Sequence, residues 1–157
     1  MQNFKSSFES NFETLLALAI TLANQAHDGQ LDKAGKPYIS HPLTVMSQMN
    51  TPESKIVAVL HDAIEDSDLT IADLVRQGFP EFITEALAAI TKRDGEPYED
   101  YILRVKSNAI ARKVKIADVT HNMDISRIAN PTEKDFQRLE KYKKVLSELQ
   151  QEWNQWV

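Results

Sequence analysis

Residues 56–66 read IVAVLHDAIED, an apolar run that leads directly into a histidine and three carboxylates. The four polar side chains are His61, Asp62, Glu65 and Asp66. On a helix with about 100° between residues they lie within about 140° of arc, so they share one face. The apolar residues cover the other face and predict a helix embedded in a core. Unpartnered charges half-buried there would destabilise the fold by roughly several kcal/mol each, and a bound divalent cation would offset that.

A His-Asp dipeptide taken alone is common by chance, and on a surface helix it would be a solvated polar pair. Further ligand candidates elsewhere in the chain favour a metal site. The ordered set is His41, His61, Asp62 and Asp118. Two imidazoles and two carboxylates form a mixed nitrogen and oxygen shell that suits manganese, iron(II) or zinc. Water bound to such an ion is a nucleophile at neutral pH, so hydrolysis is the natural reaction class.

A second polar cluster lies in the segment KVKIADVTHNMDIS, within a helix predicted over residues 109–128. Lys115, Asp118 and Asn122 share one face of that helix, and His121 flanks them. Taken by themselves, these residues also fit an interpretation in which they have no functional role. In it, Lys115 and Asp118 form a surface pair worth a few tenths of a kcal/mol, and Asn122 is solvated.

The composition indicates one all-α domain over residues 1–157. The chain has no cysteine, which excludes disulfides and thiolate ligands, so any metal must be held by nitrogen and oxygen. A net charge of −5 argues against binding to DNA or RNA. No apolar run approaches the roughly 20 residues that span a bilayer, and we expect a cytoplasmic protein that does not bind membranes.

Apolar spacing and capping residues predict the other helices, and no alternation long enough for a sheet is present. The predicted helices cover roughly residues 12–28, 42–49, 70–78, 80–91, 98–107, 109–128 and 132–153, in addition to the one that bears His61. In the helix over residues 80–91, Phe82 is expected to point inward with Ile83 and Leu87.

Three motifs in order resemble a known family: HDGQLDKAGKPYISHP at residues 27–42, HDAIED at 61–66 and KIADVTHNM at 115–123. They are similar to the HD-domain phosphohydrolases, and among these to the hydrolase half of the RelA/SpoT proteins and the small alarmone hydrolases. The resemblance covers roughly residues 12–128. It implies a helical HD-domain bundle, one manganese ion, and removal of the 3′-pyrophosphate from (p)ppGpp. Iron(II), zinc and magnesium stay open as the ion.

The resemblance also implies roles for single residues. The family's metal ligands fall on His41, His61, Asp62 and Asp118. Its acidic pair, which positions and activates the attacking water, falls on Glu65 and Asp66. Lys33 matches a lysine near the substrate phosphates, and Asn122 an asparagine at the ribose and phosphate end. His27 is expected to tie its loop to backbone carbonyls, and Tyr38 to pack at the pocket floor.

The chain departs from the family where arginines are usual. Asp32 stands in place of an arginine that stacks on guanine, Val119 in place of one after the metal aspartate, and Asp124 in place of a third. The first expectation for the substrate is (p)ppGpp or a close pyrophosphorylated nucleotide. The alternatives are hydrolysis of another nucleotide or small phosphorylated metabolite, and a nucleotide-sensing module without turnover. A homo-oligomer is left open.

Overall fold

The computed structural model describes residues 2–151, with side chains from residue 11 onward. The described part contains nine α-helices, one short 3-10 helix and no strand, only a single isolated β-bridge between Leu31 and Pro37. The α-helices are α1 Gln2–Ala26, α2 Ser40–Ser47, α3 Pro52–Leu60, α4 Ala63–Asp66, α5 Ile71–Arg76, α6 Glu81–Ile90, α7 Tyr98–Ser107, α8 Ala109–Asn122 and α9 Glu133–Gln150, and the 3-10 helix is Ile125–Arg127. The predicted all-α fold is confirmed.

Helix α3 lies at the centre of the bundle, as the apolar run predicts. Residues 56–60 are all completely buried, and α3 packs against α1, α2, α6 and α8. Its N-terminus is fixed by a capping box, in which Thr51 accepts from the backbone of Ser54 while the Ser54 hydroxyl accepts from the backbone of Thr51. The residues at its C-terminal end are therefore held in the middle of the molecule.

The single helix predicted over residues 56–66 is wrong in one respect, because it is broken at its polar residues. Helix α3 ends at Leu60 and α4 begins at Ala63, with His61 and Asp62 in the turn between them. At this turn the imidazole of His61 makes a 2.5 Å hydrogen bond from Nδ1 to the carbonyl of Ala58, and so competes for an acceptor of the helical ladder. The four polar side chains therefore do not share one helical face.

The helix predicted over residues 109–128 is also too long. Helix α8 ends at Asn122, because Asp124 caps the following 3-10 helix by accepting from the backbone of Ser126 at 3.1 Å. This turn brings Arg127 back against the end of α8, where its Nη1 donates to the carbonyl of His121 at 3.0 Å. Arg127 thereby lies beside the motif residues instead of one helical turn beyond them.

Smaller differences concern helix ends and one side chain. Helix α1 begins at Gln2, ten residues before the predicted start, and α9 ends at Gln150, while the predicted end at Trp153 lies outside the described residues. Phe82 is 44% exposed and meets the ring of Phe12, so the prediction that it points inward is wrong. Among the described residues, every helix is too short or too polar to cross a membrane.

Candidate metal centre

Four side chains from three separate segments meet in one buried cluster. Each offers one ligand atom, and these atoms all lie within 4.8 Å of one another. His41 comes from the start of α2, Asp118 from α8, and His61 and Asp62 from the turn after α3. The structure thus brings together the residues that the sequence predicts as ligands.

The nitrogen and oxygen atoms of the cluster converge on a common centre. Nε2 of His41 lies 2.7 Å from Oδ1 of Asp118, and Nε2 of His61 lies 3.3 Å from the same oxygen. Oδ2 of Asp62 lies 3.0 Å from Nε2 of His61 and 4.0 Å from Nε2 of His41. Since both imidazoles present Nε2 to both carboxylates, the four groups have the arrangement of a ligand shell.

Each imidazole is held from behind through its Nδ1 atom. Nδ1 of His61 bonds to the carbonyl of Ala58, which orients Nε2 of the same ring towards the carboxylates. Nδ1 of His41 lies 2.7 Å from Nδ1 of His121, and these two rings are stacked with an interplanar angle of 10°. Buttressing of this kind fixes ring orientation in metal sites.

The two carboxylates are held by three donors. The hydroxyl of Tyr38 donates to Oδ2 of Asp62 at 2.5 Å, so this tyrosine makes a polar contact beyond the packing role expected for it. Nζ of Lys115 donates to Oδ2 of Asp118 at 2.9 Å, and Nδ2 of Asn122 donates to Oδ1 of the same carboxylate at 3.2 Å. The side chain of Lys115 is only 15% exposed, so its pair with Asp118 is not the solvated pair of the structural interpretation.

The charges of the cluster are set by this environment. Burial alone would lower the pKa of His61, but the carboxylates of Asp62 and Asp118 outweigh it and hold that pKa well above its usual value. Burial would likewise raise the pKa of Asp118, but the cations Lys115 and His61 hold it well below its ordinary value. Asp118 therefore stays ionised.

The donor set fits a divalent metal ion. Two imidazole nitrogens and two carboxylate oxygens are a combination used for manganese, iron(II) and zinc, and each carboxylate also accepts a hydrogen bond from a neighbouring side chain. The residues that would hold the ion are His41, His61, Asp62 and Asp118.

Glu65 and Asp66 lie on α4, beside the cluster and outside its set of converging atoms. Oε1 of Glu65 accepts from the backbone nitrogen of Lys92 at 2.5 Å, and Oδ2 of Asp66 lies 3.8 Å from Nδ1 of His27. Burial raises the pKa of both carboxyl groups, and the charge of Asp62 adds to the effect. Their assignment to activation of the attacking water stays a prediction.

His27 is fixed differently from the expectation. Its Nδ1 donates to Oε1 of Gln30 at 2.9 Å, whereas a contact with backbone carbonyls was predicted. The amide of Gln30 then donates to the carbonyls of Ala26 and Asp66. Gln30 thus joins the end of α1 to the end of α4, where the acidic pair lies.

A cavity of about 300 Å³ opens beside the cluster. It is lined by Leu31, Asp32, Lys33, Ala34, Tyr38, His41, Asn122, Asp124, Arg127, Ile128, Arg138 and Tyr142. Lys33 and Asn122, the two predicted substrate contacts, both line it. Nζ of Lys33 is loosely paired with Asp135 at 3.8 Å, and its side chain is 54% exposed. The cavity therefore combines apolar walls with cations next to His41.

Two positions that depart from the family have structural explanations. Oδ1 of Asp32 accepts from the backbone nitrogens of Ala34 and Lys36, both at 2.9 Å, and Oδ2 lies 3.9 Å from Arg127. Val119 is 1% exposed and packs in the core. Asp32 closes a tight loop at the cavity wall. Val119 packs in the core at a position where the family usually has a charged arginine.

No protein-family model matches the chain. Among curated proteins, it is 32% identical over 123 residues to the bifunctional (p)ppGpp synthase/hydrolase SpoT of Escherichia coli, which covers 69% of this chain and 17% of the relative. It is 30% identical over 134 residues to the guanosine-3′,5′-bis(diphosphate) 3′-pyrophosphohydrolase of Vibrio cholerae, covering 76% of this chain and 19% of the relative. The chain is an HD-domain homologue of the SpoT-type proteins.

The HD domain also resembles a solved structure, that of a metazoan ortholog of SpoT described as hydrolysing ppGpp and playing a role in starvation responses. The TM-score is 0.72 at 22% identity, and the match covers 87% of this chain and 85% of that one. The two curated relatives from Escherichia coli and Vibrio cholerae are much longer than this HD domain, which spans less than a fifth of the length of either.

The sequence did not predict the contacts by which three residues of the HD domain support the site. Tyr38, His121 and Gln30 all lie inside the quoted motifs, so their positions were visible. Their roles depend on contacts between helices that are distant in sequence, such as the 2.7 Å contact of His121 with His41, 80 residues away. Spacing along one helix carries no signal for such contacts.

Proposed function

We propose that this HD domain is a divalent-metal-dependent hydrolase that removes pyrophosphate from the 3′ position of a guanosine nucleotide such as (p)ppGpp. The observation that carries the proposal is the buried cluster of His41, His61, Asp62 and Asp118, of which His41 also lines a cavity that contains three cationic side chains. The names of the relatives support the same reaction. Manganese is the proposed ion, and the cytoplasm the proposed location.

The reaction is attack of water on the phosphorus atom next to the 3′ oxygen, which breaks the bond between them and releases pyrophosphate. A divalent ion, when bound, lowers the pKa of water and polarises the phosphoryl group. Glu65 and Asp66, which lie beside the ligands, accept the proton of the attacking water. Their pKa values, raised by burial, bring them nearer to the range in which a base can both take up and release a proton at neutral pH.

The cavity residues hold the substrate. Lys33 and Arg138 offer cationic donors to phosphate oxygens, and their present partner Asp135 is shared between them at 3.8 and 3.3 Å. Asn122, which donates to Asp118, also faces the cavity and can orient a ribose or phosphate oxygen. These loose pairs can exchange for contacts to a substrate.

The test is an assay of the purified protein with Mn²⁺ on a panel of phosphorylated nucleotides that includes ppGpp. The expected result is release of pyrophosphate and GDP from ppGpp, lost on chelation and in Asp62→Ala. The control is Asp68→Ala, which removes an exposed carboxylate from the segment that follows α4 and should leave turnover intact. Faster hydrolysis of another compound would move the assignment to a different substrate, and binding of ppGpp without turnover would make the domain a sensor.

A further inference from the structure

An apolar groove of about 490 Å³ lies between α7 and α9. Ile102 and Val145 line it and are only 5% and 7% exposed, whereas Leu103, which also lines it, is 59% exposed. An exposed leucine beside an open apolar groove leaves apolar surface in water, and a second surface that covered both would be stabilised by its burial.

The two walls of the groove are tied together along its length. At the start of α7, Nζ of Lys141 lies 4.1 Å from the centre of the Tyr98 ring. At the end of α7, Nζ of Lys106 donates to Oε1 of Glu148 at 3.2 Å. The helices α7 and α9 therefore run side by side in the same direction, and the groove is formed before any partner binds.

Two further charged side chains line the groove from opposite helices, Glu99 from α7 and Lys144 from α9. Both are exposed, and among the described residues neither has an ion pair. The groove is therefore flanked by an unpaired carboxylate on one side and an unpaired ammonium group on the other. A surface that carries the same two charges in the opposite order would complement it.

The lining indicates the kind of occupant. Small-molecule sites have polar groups that converge inside a pocket, whereas the charged side chains that line this groove are exposed or half-exposed. A nucleic acid would require a surplus of cations, and this groove has both signs. In a contact with two-fold symmetry each surface meets a copy of itself, so that an acidic and a basic side chain on opposite walls pair reciprocally.

We propose that this chain forms a two-fold symmetric dimer through the groove between α7 and α9. Leu103 of each copy packs in the groove of the other copy, and Glu99 of each copy pairs with Lys144 of the other. The proposal goes beyond the proposed function and does not depend on it, since no residue lines both this groove and the cavity beside the cluster. Two helices on each side form a small interface, so we expect a Kd of about 10 µM to 1 mM.

The test is sedimentation velocity of the full chain from about 5 µM to 2 mM at about 0.15 M salt, which should show a monomer–dimer equilibrium. Leu103→Glu should weaken association at least about tenfold, because it brings a charge into an apolar groove. Val75→Glu is the matched control, since Val75 is 55% exposed and does not line the groove. It should leave the Kd unchanged.

A charge exchange tests the reciprocal pairs. Glu99→Lys and Lys144→Glu each set like charges opposite each other in a homodimer, so each should weaken association at least about threefold. An equal mixture of the two variants restores opposite charges at both pairs and should dimerise about as tightly as the wild type. Lys143→Glu makes the same change of charge at an exposed neighbour that does not line the groove, and it should associate as the wild type does.

The substituted side chains are all exposed, and melting temperatures check that each variant is folded. Three results would overturn the proposal: a wild type that stays monomeric at every concentration, equal effects of Leu103→Glu and Val75→Glu, or a mixture of the two charge variants that associates no better than either variant alone. A monomeric wild type would mean that the groove binds a different partner.

Discussion

Lys115 is a cation on the outer side of Asp118, one of the proposed metal ligands, and replacing it by methionine tests how the centre is held together. Its Nζ lies 2.9 Å from Oδ2 of Asp118 and 5.4 Å from the centre of the Tyr101 ring. Methionine keeps most of the volume of the side chain and removes the charge. The carboxylate of Asp118 is then buried without its main counterion. Removal of one partner of a buried pair destabilises by about 3–5 kcal/mol, and this is the expected fall in the unfolding free energy of the metal-free protein.

The effect on metal affinity has the opposite sign. The charge of Lys115 repels a dication bound to the same carboxylate, and in the variant a bound metal ion also compensates the buried charge of Asp118, which has lost its main counterion. Mn²⁺ should therefore bind Lys115→Met at least about tenfold more tightly than the wild type, a difference of about 1.4 kcal/mol. By mass action, saturating Mn²⁺ then restores part of the lost stability.

Urea unfolding in EDTA and in Mn²⁺ measures both quantities, and calorimetric titration of Mn²⁺ gives the affinity directly. Lys113→Met is the matched control, since Lys113 lies on the same helix α8 with its side chain exposed, and it should change stability by no more than about 0.5 kcal/mol. Weaker Mn²⁺ binding by Lys115→Met, or unchanged metal-free stability, would refute the reasoning.

Three further predictions concern the centre. His61→Ala should abolish stoichiometric Mn²⁺ binding and the fall in melting temperature that chelation causes in the wild type; elemental analysis that still finds the ion would remove His61 from the ligands. Glu65→Gln should keep the metal and lose about two to four orders of magnitude in kcat, whereas loss of the metal would make Glu65 a ligand. Tyr38→Phe removes the donor to Asp62 and should weaken Mn²⁺ binding about 10- to 100-fold without unfolding the protein, measured by titration with circular dichroism as the check.

The apolar run before His61 and the order of the three motifs were enough to predict the central helix, the helical fold and which four side chains converge. The break between Leu60 and Ala63 could not be predicted from periodicity, because it depends on one imidazole bonding a carbonyl in the preceding turn. The end of α8 has a similar cause in Asp124, whose side chain competes locally with the helix. The spacing of apolar residues predicts that a segment is helical, but it does not predict where a polar side chain ends the helix.

Asp32 shows the limit of comparison by residue type. The sequence shows that a carboxylate has replaced a stacking arginine, but not that one oxygen of this carboxylate closes the loop through Ala34 and Lys36. An Asp32→Arg change would therefore open the loop and set two guanidinium groups together, since Arg127 lies opposite. A substitution that looks restorative in sequence is disruptive in the folded protein.

The ligands of the centre have a consequence for the mobility of the bundle. His41 and Asp118 are 77 residues apart in the sequence, so an ion bound by both would close a long loop of the polypeptide. The chain has no cysteine and therefore no disulfide that could do the same. The bound ion would act as a reversible cross-link that restricts the motion of the segments inside the loop. Amide hydrogen exchange in α2, α3 and α8 should slow when Mn²⁺ is added, while the first turns of α1 and the last turn of α9 keep their rates.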